Sequence, residues 1–211
     1  MREFLLRALK ARTDGDFDLE NLPDAGRLDL VTRCISSALW LAKGLRQDTI
    51  IHVNLEGPRY PPKTISFHGN KLKGFYFDEK GIAKFIKLAL EKGINLKLNQ
   101  ELEVYPGIIV SKKSFEQLIK EKQGYQIIYL HKKGQDIRNF KFKENVLIVF
   151  GDYIGMPRKT EIFLQRHNAE KVSLGKIEYH ASHCITIVNN ELDRRLFPWT
   201  SKTVFISICF I

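Results

Sequence analysis

The sequence predicts an α/β fold, a mainly parallel sheet with helices on both faces. Two observations lead there. Strand-length apolar runs alternate with amphipathic helical segments along most of the 211 residues, the rhythm of strands joined by crossover helices. No low-complexity linker or internal repeat breaks that rhythm, so residues 1–211 are read as one domain, with 195–211 as a tail of open role.

The elements follow in order. REFLLRAL (2–9) reads as a strand. LDLVTRCISSALWLA (28–42) reads as a helix, with Leu28, Val31, Ile35, Ala38 and Ala42 on one face. DTIIHVNL (48–55) and TISFH (64–68) are strands separated by the turn-rich GPRYPPK. DEKGIAKFIKLALEK (78–92) is a helix that buries Ile82, Phe85, Ile86 and Ala89, and Asp78 suits its N-cap. GIIV (107–110) is a short strand. SFEQLIKEK (114–122) is a helix capped by Ser114, and YQIIYL (125–130) is a strand. The second half repeats the pattern: strand VLIVF (146–150), helix RKTEIFLQRH (158–167), strand KVSL (171–174) and helix HASHCITIVNNELDRRL (180–196). TVFISICFI (203–211) is strand-like and too short to span a bilayer; an added edge strand, a cover for a dimer and disorder all stay open.

Charge narrows the partner. A formal net charge of +10 and a pI near 9.5 point to a polyanion, nucleic acid before membrane, because no basic amphipathic helix stands out. A thermophile-like surface rich in Lys and Glu is the competing explanation. No apolar run approaches the roughly 20 residues that cross a bilayer. Cys34, Cys184 and Cys209 form no C-x-x-C pair, so a disulfide framework or zinc ribbon is not expected and a reducing, cytoplasmic setting is.

In open α/β sheets ligands sit beyond the carboxyl ends of the strands. Three loops qualify: HKKGQD after Leu130, GDYIGMP after Phe150 and GKIEYHASHC after Leu174. If their strands are neighbours, the loops converge. G-x-G-x-x-G is absent, and Gly69 and Gly74 have P-loop spacing but are followed by Phe75-Tyr76 instead of Lys-Ser/Thr. No G-x-S-x-G elbow occurs. His180, His183 and Cys184 lie within a turn of one another, too few for a zinc site, and no metal is expected. The glycines remain. Gly151, Gly155 and Gly175 either make tight turns or let a run such as LGKIEY offer backbone N–H and C=O groups to an adenine edge.

The chain resembles the archaeal tRNA pseudouridine N1-methyltransferases, a branch of the SPOUT superfamily with its deep C-terminal trefoil knot. GRLDLVTRC (26–34), FDEKGIAKFIKLAL (77–90), IIYLHKKG (127–134), LIVFGDYIG (147–155) and SLGKIEYHASHCITIVNNELD (173–193) carry the resemblance, in order across nearly the whole chain. Tyr179 stands where relatives have an apolar residue, Arg46-Gln47 where many have two arginines, and Phe77-Asp78-Glu79-Lys80-Gly81 where many have P-D-E-R-N. The resemblance implies N1-methylation of the pseudouridine at position 54, the start of the tRNA T-loop, by a homodimer. It places S-adenosylmethionine in the knot against Leu130, Gly151, the run Leu174, Gly175, Lys176, Ile177, Glu178 and Tyr179, and Cys184.

Chemistry adds the roles. A sulfonium methyl is already activated, so the enzyme must align the acceptor and remove its proton. Pseudouridine is joined to ribose through carbon and keeps a free N1–H, which uridine lacks. Asp78 is the candidate base, with helix capping as the competing role. Cys184, beside the cofactor run, is expected to pack on or touch cofactor or base without forming a covalent bond; an inert thiol is the alternative. Arg27, Arg33 and Arg46 are candidates for RNA phosphate or for surface ion pairs, and Tyr76 or Phe77 for stacking on a base. Other acceptors, a ribosomal RNA pseudouridine or a ribose 2'-hydroxyl, stay open, as does a non-catalytic RNA-binding protein.

Overall fold

The computed structural model describes residues 1–196, so the strand-like 203–211 and nearly all of the tail lie outside the described residues. Chain order is β1 (Arg2–Ala8), α1 (Leu28–Leu39), β2 (Trp40–Leu41), β3 (Gly44–Leu45), β4 (Thr49–Leu55), β5 (Lys63–His68), α2 (Glu79–Lys92), β6 (Glu101–Tyr105), β7 (Ile108–Ser111), α3 (Phe115–Glu121), β8 (Gln126–Asp136), β9 (Val146–Gly151), α4 (Arg158–Arg166), β10 (Glu170–Ser173) and α5 (Ala181–Leu196). Eight strands form one sheet in the order β10-β8-β9-β1-β4-β5-β7-β6, and β2 and β3 make a separate small hairpin.

From β10 to β4 every pairing is parallel, as the alternating pattern requires. Beyond β4 every pairing is antiparallel. The link at 56–62 is too short for a crossover helix, so β5 must turn straight back along β4. The sheet is therefore mixed, and mainly parallel on the side that carries the candidate loops.

Period-two alternation explains the helices on both faces. Phe4, Leu6 and Ala8 of β1 point into a core shared with α1, α2 and α5. Leu5 points the other way, against Phe115 and Leu118 of α3 and Leu164 of α4. β9 does the same, with Ile148 in the first core and Leu147 and Val149 in the second. Each of the larger aliphatic and aromatic side chains among these contributes roughly 1.5–3 kcal/mol on burial.

Three boundaries differ from the sequence reading. α1 stops at Leu39, because Trp40 turns extended and donates its indole N–H to the Tyr76 carbonyl; Ala42 lies in the hairpin turn. β6 was not foreseen, because its Leu102 faces solvent and breaks the apolar signal. HKKGQD is no free loop but the continuation of β8. Lys171 of β10 stands opposite Tyr129, while the next residue, Val172, stands opposite Gln135, so the segment between bows away from the ladder. Gly134 makes this possible: a Cβ there would meet the Val172 amide nitrogen at 2.4 Å.

Candidate active site

The bowed segment of β8, the turn after β9 and the loop after β10 surround a cavity of about 710 Å³. Its floor is Leu6 and Ala8 of β1, and α1 closes one side with Leu30, Val31 and Cys34. All nine residues expected at a cofactor reach it: Leu130, Gly151, the run Leu174 to Tyr179, and Cys184. They come from four separate chain segments, which the sheet order and the packing of α5 on α1 bring together.

The lining is mixed in character. Gly175 adopts φ +121°, open to glycine and strained for any L side chain, and it turns the run 174–179 along the cavity. Ser173 Oγ accepts from the Gly175 amide at 3.2 Å and fixes that turn. Ile177 and Tyr179 are largely exposed at the mouth, and Lys132 meets Glu178 at 3.4 Å there. Asp152 is a lining residue that the site assignment missed, although the G-D pair was in view. Its carboxylate accepts from the Leu9 amide at 3.0 Å and the Ile154 amide at 2.9 Å. Burial raises its pKa, and those amides and Lys10 offset only part of the rise.

Cys184 lines the cavity with its thiol 3.7 Å from the Tyr179 carbonyl. Burial pushes its pKa up, so it stays a neutral thiol at physiological pH. Its alkylation by iodoacetamide at pH 7.5 is expected to run well below that of a small free thiol; a faster rate would show a thiolate that this environment does not provide.

The arginines part ways. Arg27 reaches the cavity and holds a left-handed backbone at φ 67°. Its guanidinium forks onto Asp29 at 2.9 and 3.0 Å and lies 5.4 Å over the Tyr153 ring. Burial alone would raise the Asp29 pKa; the Arg27 fork and the Arg33 charge outweigh it and hold the carboxylate ionised. Arg33 pairs with the same Asp29 and approaches Glu79 at 3.6 Å, outside the cavity. Arg46 is only 11% exposed and forks onto Asp193 at 2.9 and 2.6 Å, fastening α5 beside the start of β4.

Asp78 is not among the cavity residues. It caps α2 by accepting from the Gly81 amide at 2.8 Å. Within one copy of the chain the candidate base and the candidate cofactor site are thus apart.

Residues 1–197 match the family of putative SAM-dependent RNA methyltransferases. The tRNA (pseudouridine(54)-N(1))-methyltransferase of Methanococcus maripaludis strain C5 is 43% identical over 199 residues, which cover 92% of this chain and 99% of that protein. The enzyme of the same name from Methanocaldococcus jannaschii is 41% identical over 201 residues, 92% of this chain and 98% of that protein. Among solved structures, Archaeoglobus fulgidus Nep1 bound to S-adenosylhomocysteine aligns with a TM-score of 0.60 at 16% identity, covering 92% of this chain and 96% of that one, a likeness of fold. With the match running through β1 to α5 and through every segment that lines the cavity, this chain belongs to the pseudouridine(54)-N1-methyltransferase family of SAM-dependent RNA methyltransferases.

Proposed function

We propose that this protein methylates N1 of pseudouridine 54 in the T-loop of tRNA, with S-adenosylmethionine in the cavity between β8, β9 and β10. The observation that carries the reading is convergence: four chain segments, the family's own signature runs, meet at one cavity of ligand size in a basic protein. The lining fits the cofactor. Backbone groups along Leu174 to Tyr179 suit an adenine edge, while Leu6, Val31 and Leu174 offer apolar surface to its ring. When bound, the cofactor supplies an electrophilic methyl group. The chain's own residues hold the acceptor in line, exclude water and take up the N1 proton.

Proton removal falls to Asp78, and its distance from the cavity makes the arrangement a two-copy one. In a homodimer the loop 77–81 of one copy completes the cavity of the other. Arg27 at the cavity edge and Arg33 on α1 outside it contact RNA phosphate, and Arg46 supports α5 through Asp193. A deep C-terminal trefoil knot belongs to this reading; the bowed β8 segment and the packing of α5 on α1 support it.

The first test offers labelled S-adenosylmethionine and two T-arm hairpins that differ only in uridine or pseudouridine at the target position. Label on the pseudouridine hairpin alone is expected. Equal label on both would move the acceptor to a ribose hydroxyl or another base and overturn N1 chemistry.

Two variants test the site. Gly175→Ala is expected to weaken S-adenosylmethionine binding by about tenfold, since the strain of roughly 1–3 kcal/mol falls on the cavity loop, with little change in Tm. Isothermal titration calorimetry reads the affinity. Mixing inactive Asp78→Asn and Gly175→Val chains under conditions that exchange subunits is expected to restore about one quarter of wild-type activity, the share of intact sites in a random mixture of dimers. No recovery would place Asp78 and the cavity in the same copy or remove Asp78 from the reaction.

A further inference from the structure

A second feature of the RNA path lies at the far end of α1. Tyr76 and Phe77 are 51% and 70% exposed, large rings left in solvent on a loop that is nevertheless tightly held. Leu72 and Phe75 anchor it in the core, where Phe75 packs on Phe67 and Phe85 with ring centroids 5.8 and 5.2 Å apart. Three carbonyls of the loop are tied from below: Tyr105 Oη donates to Lys73, the Trp40 indole to Tyr76 and Ser36 Oγ to Phe77, at 2.7, 2.9 and 3.0 Å. The Trp40 ring meets Phe77 edge-on at 6.3 Å. Gly81 leaves room for this, since a Cβ there would stand 2.4 Å from Tyr76 Cβ.

A loop tied at three points spends no entropy when a partner arrives, and what it presents are two aromatic faces. The residues around them choose the partner. Lys71, Lys73 and Lys84 are exposed on the same stretch of chain, as is Lys80, which pairs with Glu20, and Arg33 lies on the adjacent face of α1. Of the acidic neighbours, Asp78 is turned to the Gly81 amide and Glu79 to Arg33. Aromatic faces set among cations are the chemistry of single-stranded nucleic acid: bases stack and lysines follow the phosphates.

We infer that Phe77, supported by Trp40 and Tyr76, is a stacking platform for an unpaired nucleobase of the RNA next to the one that is methylated. This rests on the tRNA reading above and deepens it. Within one copy the platform lies about 20 Å along α1 from Arg27. In the two-copy site it adjoins Asp78, beside the acceptor base. It gives the enzyme hold of the loop without reading its sequence, because every base has a face to stack.

The test replaces each unpaired loop base except the target, one at a time, with 2-aminopurine, whose fluorescence falls on stacking. Wild-type protein is expected to quench the probe at a position beside the target. Phe77→Leu keeps apolar bulk without an aromatic face, and it is expected to abolish that quenching and raise KM for the hairpin about tenfold, with S-adenosylmethionine affinity unchanged as the sign of an intact fold. Quenching and KM that survive Phe77→Leu would overturn the platform, as would wild-type protein that quenches no position. A variant with normal KM that sediments as a monomer where wild type is dimeric would also overturn it, giving the face to a second copy instead. If wild type transfers no methyl group to the pseudouridine hairpin, the function reading fails on its own count, separately from the quenching result.

Discussion

Replacing Asp78 by asparagine is expected to lower kcat by roughly 10²- to 10⁴-fold, the usual worth of a positioned general base. Asparagine is the informative choice because it separates the cap seen in the structure from the proposed base. As the N-cap of α2 it accepts from the Gly81 amide, and asparagine caps a helix as well as aspartate does. Asp78→Asn therefore keeps the cap and removes only the carboxylate. Tm and S-adenosylmethionine affinity should stay at wild-type values while single-turnover methyl transfer collapses. Asp78→Ala should lose both, with about 1 kcal/mol of stability gone with the cap. Unchanged turnover in Asp78→Asn would leave the residue as a cap alone.

The largest effect on stability is expected at Glu3. It lies on the central strand, 1% exposed, on the face turned to α3 and α4. Its carboxylate accepts from Lys122 Nζ at 2.8 Å and contacts His52 Nε2 at 2.8 Å, and His52 Nδ1 lies 2.7 Å from Ser66 Oγ. Since the ionised carboxylate can only accept, His52 Nε2 carries the proton shared with Glu3. Burial by itself would raise the Glu3 pKa; the bonds and charges of His52 and Lys122 overcome it and bring it to about 2. A lowered folded-state pKa contributes stability that is fully present above the unfolded value near 4.5 and lost as pH falls toward 2. Glu3→Ala, which leaves Lys122 without its partner, is expected to cost about 3–5 kcal/mol at pH 7. Urea titrations from pH 7 to pH 3 should show the wild-type advantage shrinking as the medium acidifies. A constant difference would mean that packing, not charge, holds Glu3 in place.

Much of this architecture was legible because it depends on period and spacing. The alternation of β1 and β9, the apolar stripe of α1 and the caps Asp78 and Ser114 are local signals, and the structure keeps them. The convergence at the cavity was legible only as a condition, because it required β8, β9 and β10 to be neighbours. The misses are long-range. Nothing within HKKGQD announces that Gln135 and Asp136 pair with β10, since their partners lie more than thirty residues away. Val31 reads in the sequence as a plain core position of α1, and the structure puts it in the core and in the cavity wall at once. Asp78 shows the remaining gap: sequence marks a carboxylate at a helix start, while only the structure sets it outside the cavity of its own copy.

The place of β1 has a consequence for synthesis on the ribosome. It is made before every other described strand, yet one of its two neighbours, β9, lies more than 130 residues later in the chain. At ordinary elongation rates that edge stays open for roughly ten to thirty seconds. An unpaired apolar strand invites pairing with other nascent chains, and charges pointing inward from its face discourage it. Glu3 and Arg7 sit at those positions; His52 and Glu56 reach them with β4, while Lys122 and Glu116 come only on α3 or just after it, shortly before the missing neighbour. The same ion-pair network that braces the finished sheet would, a few seconds earlier, be incomplete, and its charges would keep the half-made centre from sticking to the wrong strand.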